Sequence, residues 1–279
     1  NPGDEVVVFA PYFGEYRSYT DNYDGVIVEI SPDTETFQPK LDEFEKKLSP
    51  KTKAVIVNTP NNPTGVVYSE ETIQKLAAIL EKKQKEFGTE IYLISDEPYR
   101  ELAYDGVEVP YLTKYYANTV VGYSFSKSLS LPGERIGYIV APNEAEDFEQ
   151  LLPAFIASAR LLSYVCVPTL YQKVVGECVD LTSDLSIYQK NKDLFYNALV
   201  DMGYECVEPG GAFYLFPKVT KAMAMKGYSD VTDFTTAILE EAGVALVTGA
   251  GFGSPENVRL SYATSLENLE VAVARLKDW

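Results

Sequence analysis

The chain contains no histidine, and among its 279 residues it has only three cysteines and one tryptophan. A missing imidazole excludes Ser-His-Asp and Cys-His catalysis and every His-ligated metal site, so proton transfer falls to lysine, carboxylates and tyrosine. Cys166, Cys178 and Cys206 are odd in number and lack a Cys-x-x-Cys spacing. Neither a disulfide framework nor a zinc site is predicted, and a reducing cytoplasm is the expected compartment. No run approaches the roughly 18 consecutive apolar residues of a membrane span, and no signal-peptide pattern is present. Basic residues are scarce too: 24 Lys and Arg against 41 Asp and Glu give a formal charge of −17. That balance disfavours nucleic acid and anionic membranes as partners.

What is present is an alternation of short apolar runs with amphipathic stretches, the mark of an α/β layer structure. Strands are predicted over residues 6–10, 26–30, 54–58, 91–95, 119–124 and 136–140, with helices over 40–48 and 70–87. The second helix starts at Ser69 and stops before Gly88. Beyond Pro142 the pattern predicts helices over 143–152, 168–181 and 184–202. Strand, strand, helix, strand, strand and helix follow, centred on Cys206, Tyr214, Phe234, Ala245, Leu260 and Leu269. The opening Asn1-Pro2-Gly3-Asp4 leads straight into a strand, which reads as the middle of a domain.

Chemistry concentrates in Ser124-Phe125-Ser126-Lys127, followed by Arg135. A lysine at the end of an apolar strand can form a Schiff base with an aldehyde, while neighbouring hydroxyls and a guanidinium hold a phosphate. Three further segments join it: Asn58-Thr59-Pro60-Asn61-Asn62-Pro63-Thr64-Gly65, Asp96-Glu97-Pro98-Tyr99, and Val258-Arg259-Leu260-Ser261-Tyr262. In open α/β sheets ligands bind beyond the carboxyl ends of the strands, and Asn62, Asp96 and Lys127 all follow predicted strand ends.

With these four pieces in this order, the chain resembles the fold type I pyridoxal-phosphate (PLP) enzymes, and among them the class I and II aminotransferases of the aspartate aminotransferase type. The resemblance implies a mostly parallel central sheet flanked by helices, with a large PLP-binding domain over 1–190 and a smaller α+β domain over 191–279. It implies that Lys127 carries the cofactor and moves the proton, that Asp96 pairs with the pyridine nitrogen, and that Tyr99 and Asn62 bond the phenolic oxygen. Lys127, Asp96 and Tyr99 are thus the catalytic candidates. Ser124 and Arg135 correspond to phosphate ligands, and Phe13 to the aromatic ring stacked on the pyridine, with Tyr12 a competitor for that place. Arg259, with Asn62, would grip the substrate carboxylate. The Asn62-Pro63 bond is expected to be cis, and Gly210-Gly211-Ala212-Phe213-Tyr214 is expected to be scaffold. A homodimer and an N-terminal part upstream of Asn1 are also implied. Aspartate with 2-oxoglutarate is the expected substrate pair. The alternatives are a PLP-dependent carbon–sulfur lyase, against which Asn61 argues because such relatives often have histidine there, and the effector domain of a transcription regulator.

Overall fold

In the computed structural model, which describes residues 1–279, β-branched runs form a six-stranded sheet in the order β2-β1-β3-β4-β5-β6. The strands are β1 (Glu5–Phe9), β2 (Val26–Ile30), β3 (Thr52–Asn58), β4 (Tyr92–Asp96), β5 (Thr119–Ser124) and β6 (Gly137–Val140). All neighbours run parallel except β6, which pairs antiparallel with β5 at the edge. Side chains alternate between the two faces. On one face, Val7, Val55, Val57 and Leu93 enter a core with Ile73, Leu76 and Leu80 of helix α3 (Glu70–Phe87). On the other, Val6, Ile56, Ile94, Asp96, Gly122 and Ser124 line an open groove. Period-two alternation therefore puts Asp96 and Ser124 on the same side of adjacent strands.

Helix α3 has the expected ends. The Ser69 hydroxyl accepts from the Thr72 amide, and Gly88 closes the helix with φ 64°. Two short helices precede it, α1 (Glu15–Asp21) and α2 (Leu41–Lys47). The first is absent from the sequence prediction, because its run of polar residues and tyrosines carries no apolar stripe.

Beyond the sheet come α4 (Phe125–Ser128), α5 (Phe148–Leu161), α6 (Thr169–Cys178) and α7 (Leu185–Asp201). The helix expected over 143–152 begins later and runs through Pro153, the sixth residue of α5, whose missing N–H leaves the Glu149 carbonyl without its helical donor. A three-stranded antiparallel sheet then forms from β7 (Tyr214–Leu215), β8 (Val247–Thr248) and β9 (Val258–Ser261), in the order β7-β9-β8. Helices α8 (Thr220–Lys226), α9 (Val231–Ala237) and α10 (Leu266–Asp278) cover it. The strand expected at Cys206 does not form. Only a bridge from Glu205 to Lys218 remains there, and the unforeseen α8 follows instead. The second core gathers Phe195, Leu199, Phe234, Leu260 and Leu269, but also takes in Tyr99, Leu102 and Tyr104 from the loop after β4. That shared packing fixes the second layer against the carboxyl ends of the first sheet. No helix is long and apolar enough to cross a membrane.

Candidate active site

Three adjacent strands end at the site. Asn58 closes β3, Asp96 closes β4 and Ser124 closes β5, and the groove past them has a volume of about 920 Å³. Phe13, Asn62, Asp96, Tyr99, Ser124, Lys127, Arg135 and Arg259, the candidates from sequence, all line it.

Asp96 and Glu97 are neighbouring carboxylates that strand geometry sends to opposite sides. Glu97 is buried, accepts from the Ser95 hydroxyl at 2.6 Å and pairs with Arg100 Nε at 2.5 Å. It is thereby consumed in structure. Asp96 faces the groove and accepts a 2.5 Å hydrogen bond from the Tyr16 hydroxyl. Burial pushes the Asp96 carboxyl up from the usual range, the Tyr16 bond works against that, and the charge of Glu97 adds to it. Tyr16 escaped the sequence reading. It lies on α1, three residues after Phe13, and the two rings meet edge to face at 5.7 Å. Tyr12 turns away from the groove, donating to Glu29 Oε1 at 2.7 Å, so Phe13 alone of the two presents its ring.

Asn62 sits in a loop clamped by another residue missed in sequence, Asn58. The Asn58 side chain accepts from the Asn62 amide at 2.7 Å and donates to the Asp96 carbonyl at 2.8 Å, tying the loop to the end of β4. The Asn62-Pro63 bond is cis, as are Ala10-Pro11 and Thr59-Pro60. Asn61 is buried within the loop, where its side-chain oxygen accepts from the Thr64 amide and hydroxyl. Its role here is to hold the turn. Arg259, on β9 and 197 residues from Asn62, donates from Nη1 to Asn62 Oδ1 at 2.8 Å. Its guanidinium lies 4.7 Å from the Tyr214 ring centre and 4.9 Å from that of Phe252, which fixes the direction of its remaining donors.

Lys127 projects from α4, a single turn capped by the Ser124 hydroxyl, which accepts from the Ser126 amide at 3.2 Å. Its Nζ lies 5.3 Å from the Phe213 ring centre and 6.0 Å from that of Tyr99. Burial, then the positive charges of Arg135 and Arg259, lower its pKa below that of an ordinary lysine. A larger fraction of neutral, nucleophilic amine follows. Arg135 adopts a left-handed backbone, φ 53°, and donates to the Pro132 carbonyl at 2.9 Å rather than pairing with Glu134. Its remaining donors stay available to an anion. Ser126, beside Ser124, also lines the groove and adds a hydroxyl.

An amine of lowered pKa, a carboxylate on the far side, an aromatic face, hydroxyls and a guanidinium together suit a phosphorylated pyridine aldehyde. This donor set fits PLP. Known proteins resemble this chain along its whole length. The sequence pattern of the family described as "Aminotransferase class I and II" matches residues 1–276. An asparagine–oxo-acid transaminase of Streptococcus mutans is 35% identical over 283 residues, covering 99% of this chain and 70% of that protein. An aspartate aminotransferase of Geobacillus stearothermophilus is 36% identical, covering 98% and 69%. Among solved structures, an amino transferase of Eubacterium rectale superposes with a TM-score of 0.90 at 44% identity, covering all of this chain and 68% of that one. An aspartate aminotransferase of Thermotoga maritima gives 0.86 at 34%, covering 100% and 70%. With the family pattern spanning nearly the whole chain and these likenesses spanning the rest, the chain belongs to the class I and II aminotransferases, of the aspartate aminotransferase-like fold.

Proposed function

We propose that this aminotransferase takes the amino group from an L-amino acid, aspartate foremost, and passes it to a 2-oxo acid, using PLP held at Lys127. The observation that carries the reading is the convergence of the Lys127 amine, the Asp96 carboxylate and the Arg259–Asn62 pair on one groove. Aspartate as donor is supported by the names of several similar proteins, among them those of Geobacillus stearothermophilus and Bacillus subtilis. When bound, the cofactor supplies a ring that accepts the electron pair left on the substrate Cα. Lys127, once free, is the base for the Cα proton, and its lowered pKa raises the share of neutral amine for that step. Asp96 holds a positive charge at the pyridine nitrogen, and Tyr16 orients the carboxylate. Ser124, Ser126 and Arg135 take the phosphate, and Phe13 covers the ring face. Arg259 presents a fork to the α-carboxylate, oriented by Asn62 and the flanking rings.

The division into a large unit over 1–190 and a small one over 191–279 belongs to the same reading, supported by the two sheets and two main cores. Assembly as a homodimer belongs to it as well. Exposed apolar side chains along β6 and α5, such as Ile139, Leu152 and Ile156, support a covered surface there.

Borohydride reduction of the PLP-loaded protein, followed by peptide mapping, is expected to place the label on Lys127. A label on another lysine would overturn the assignment. For the reaction, aspartate without an oxo-acid acceptor is expected to release one equivalent of oxaloacetate per site. Pyruvate and ammonia from L-cystathionine, with no such burst from aspartate, would establish the lyase alternative.

A further inference from the structure

Tyr214 lies in the segment that the sequence reading treats as scaffold, yet it touches two parts of the site at once. Its hydroxyl is 2.9 Å from the hydroxyl of Tyr99, and its ring is the surface on which Arg259 rests, 4.7 Å away. It is buried and also lines the groove. Neither phenol has another hydrogen-bond partner within the protein. Two hydroxyls at this distance share one proton, and the direction of sharing decides what Tyr99 can offer a ligand. If Tyr99 donates to Tyr214, it has no proton left. If Tyr214 donates, the Tyr99 proton is free and is polarised by the bond it receives, because chained hydrogen bonds strengthen one another in a low-dielectric site.

We propose that Tyr214 is a positioning residue that donates to Tyr99, directing the Tyr99 proton to the phenolic oxygen of the cofactor, while its ring face aligns Arg259 for the substrate carboxylate. This inference rests on the assignment of PLP to Lys127. Burial keeps both phenols protonated, well above the ordinary tyrosine range for Tyr99, so both act as neutral donors. A single side chain thereby couples the grip on the carboxylate to the charge on the phenolic oxygen.

The test uses Tyr214→Phe, which keeps the ring and removes the hydroxyl, in the full chain loaded with PLP. The readout is the pH at which the absorbance band of the lysine-bound cofactor titrates. A donor to the phenolic oxygen stabilises its anion, so removing the donor, as in Tyr99→Phe, or weakening it must raise that apparent pKa. Tyr214→Phe is expected to raise it by about half a unit, roughly a threefold change in the proton equilibrium. Tyr99→Phe is expected to raise it further, and adding Tyr214→Phe to that variant should then shift nothing more. Because the ring is retained, KM for the amino acid should stay within about twofold in Tyr214→Phe and rise several-fold in Tyr214→Leu. A parent-like titration in Tyr214→Phe, or an undiminished shift in the Tyr99→Phe background, would overturn the proposal. If the parent itself lacks a titrating band, the Lys127 assignment falls and the inference falls with it.

Discussion

Asp96 and Glu97 are chemically alike and adjacent, and only the side of the strand each faces separates a carboxylate that lines the groove from one bound into the structure. In Asp96→Asn the shape is kept and the charge is lost. Capture of PLP by Lys127 should survive, since its amine and the phosphate donors are untouched. Single-turnover release of oxaloacetate from aspartate is expected to slow by roughly two to four orders of magnitude, equivalent to about 3–5 kcal/mol of lost charge stabilisation. A rate within a few-fold of the parent would make Asp96 a structural cap. Lys127 allows a pH prediction. Its pKa is lowered in the folded protein from 10.5, chiefly by burial, so the folded state binds fewer protons than the unfolded one across that interval. The residue therefore costs stability below its folded-state pKa, and the cost is relieved as pH rises toward 10.5. Capture of PLP by the cofactor-free protein, followed by absorbance, should accelerate with pH and level off below the value of a free lysine. A plateau at or above that value would mean that the amine is not desolvated.

Among the elements, the site depends on how closely the loop of Asn62 meets the turn before β7. Gly65 has φ 72°, and a Cβ there would lie 2.4 Å from Pro209 Cβ and 2.9 Å from the carbonyl oxygens of Gly211 and Tyr214. The Gly211 amide donates to the Gly65 carbonyl at 2.9 Å across the same contact. Gly65→Ala must bear both a left-handed backbone and a collision with main chain, for an expected loss of about 2–4 kcal/mol in urea unfolding. A loss under about 1 kcal/mol would mean the turn can retreat, and the Tyr99–Tyr214 and Arg259–Asn62 contacts should then weaken with it. Elements with a strong pattern were legible before folding. Helix α3 has its cap, apolar stripe and terminal glycine within its own sequence. Helices α1 and α8 carry no such signal and were missed, while the strand at Cys206 was expected from apolar residues that pack without pairing. Of the site, Lys127, Asp96 and Arg259 could be found from their flanking motifs. Tyr16, Asn58 and Tyr214 could not, because each acts through a partner distant in sequence.

For the molecule as a whole, Lys192 of α7 joins the two layers. Its side chain is 2% exposed and its ammonium contacts Asp105, Asp193 and Glu208 within 3.2 Å. Burial alone would lower its pKa, but the hydrogen bonds it donates to Glu208, Asp105 and Asp193 prevail and raise it. A raised lysine pKa contributes stability that is fully present below 10.5 and is lost as pH climbs through the folded-state value. The carboxylates are about half exposed, so the pairing is screened, and Lys192→Met is expected to cost about 1–2 kcal/mol near neutral pH. That difference should shrink in about 1 M salt, which screens ion pairs whose partners are half exposed. A difference that persists unchanged in salt would locate the cost in packing instead.

The sequence by itself determined the chemistry available and the order of the layers. Without histidine the proton carriers had to be lysine, carboxylate or phenol, and the period-two and helical patterns are local properties of consecutive residues. Tertiary structure alone decided which carboxylate faces the groove, which aromatic ring covers it, and which hydroxyls stand behind the residues in direct reach. Those choices depend on strand pairing and on the packing of β7 and β9 against loops more than a hundred residues away, contacts that leave no period in the chain.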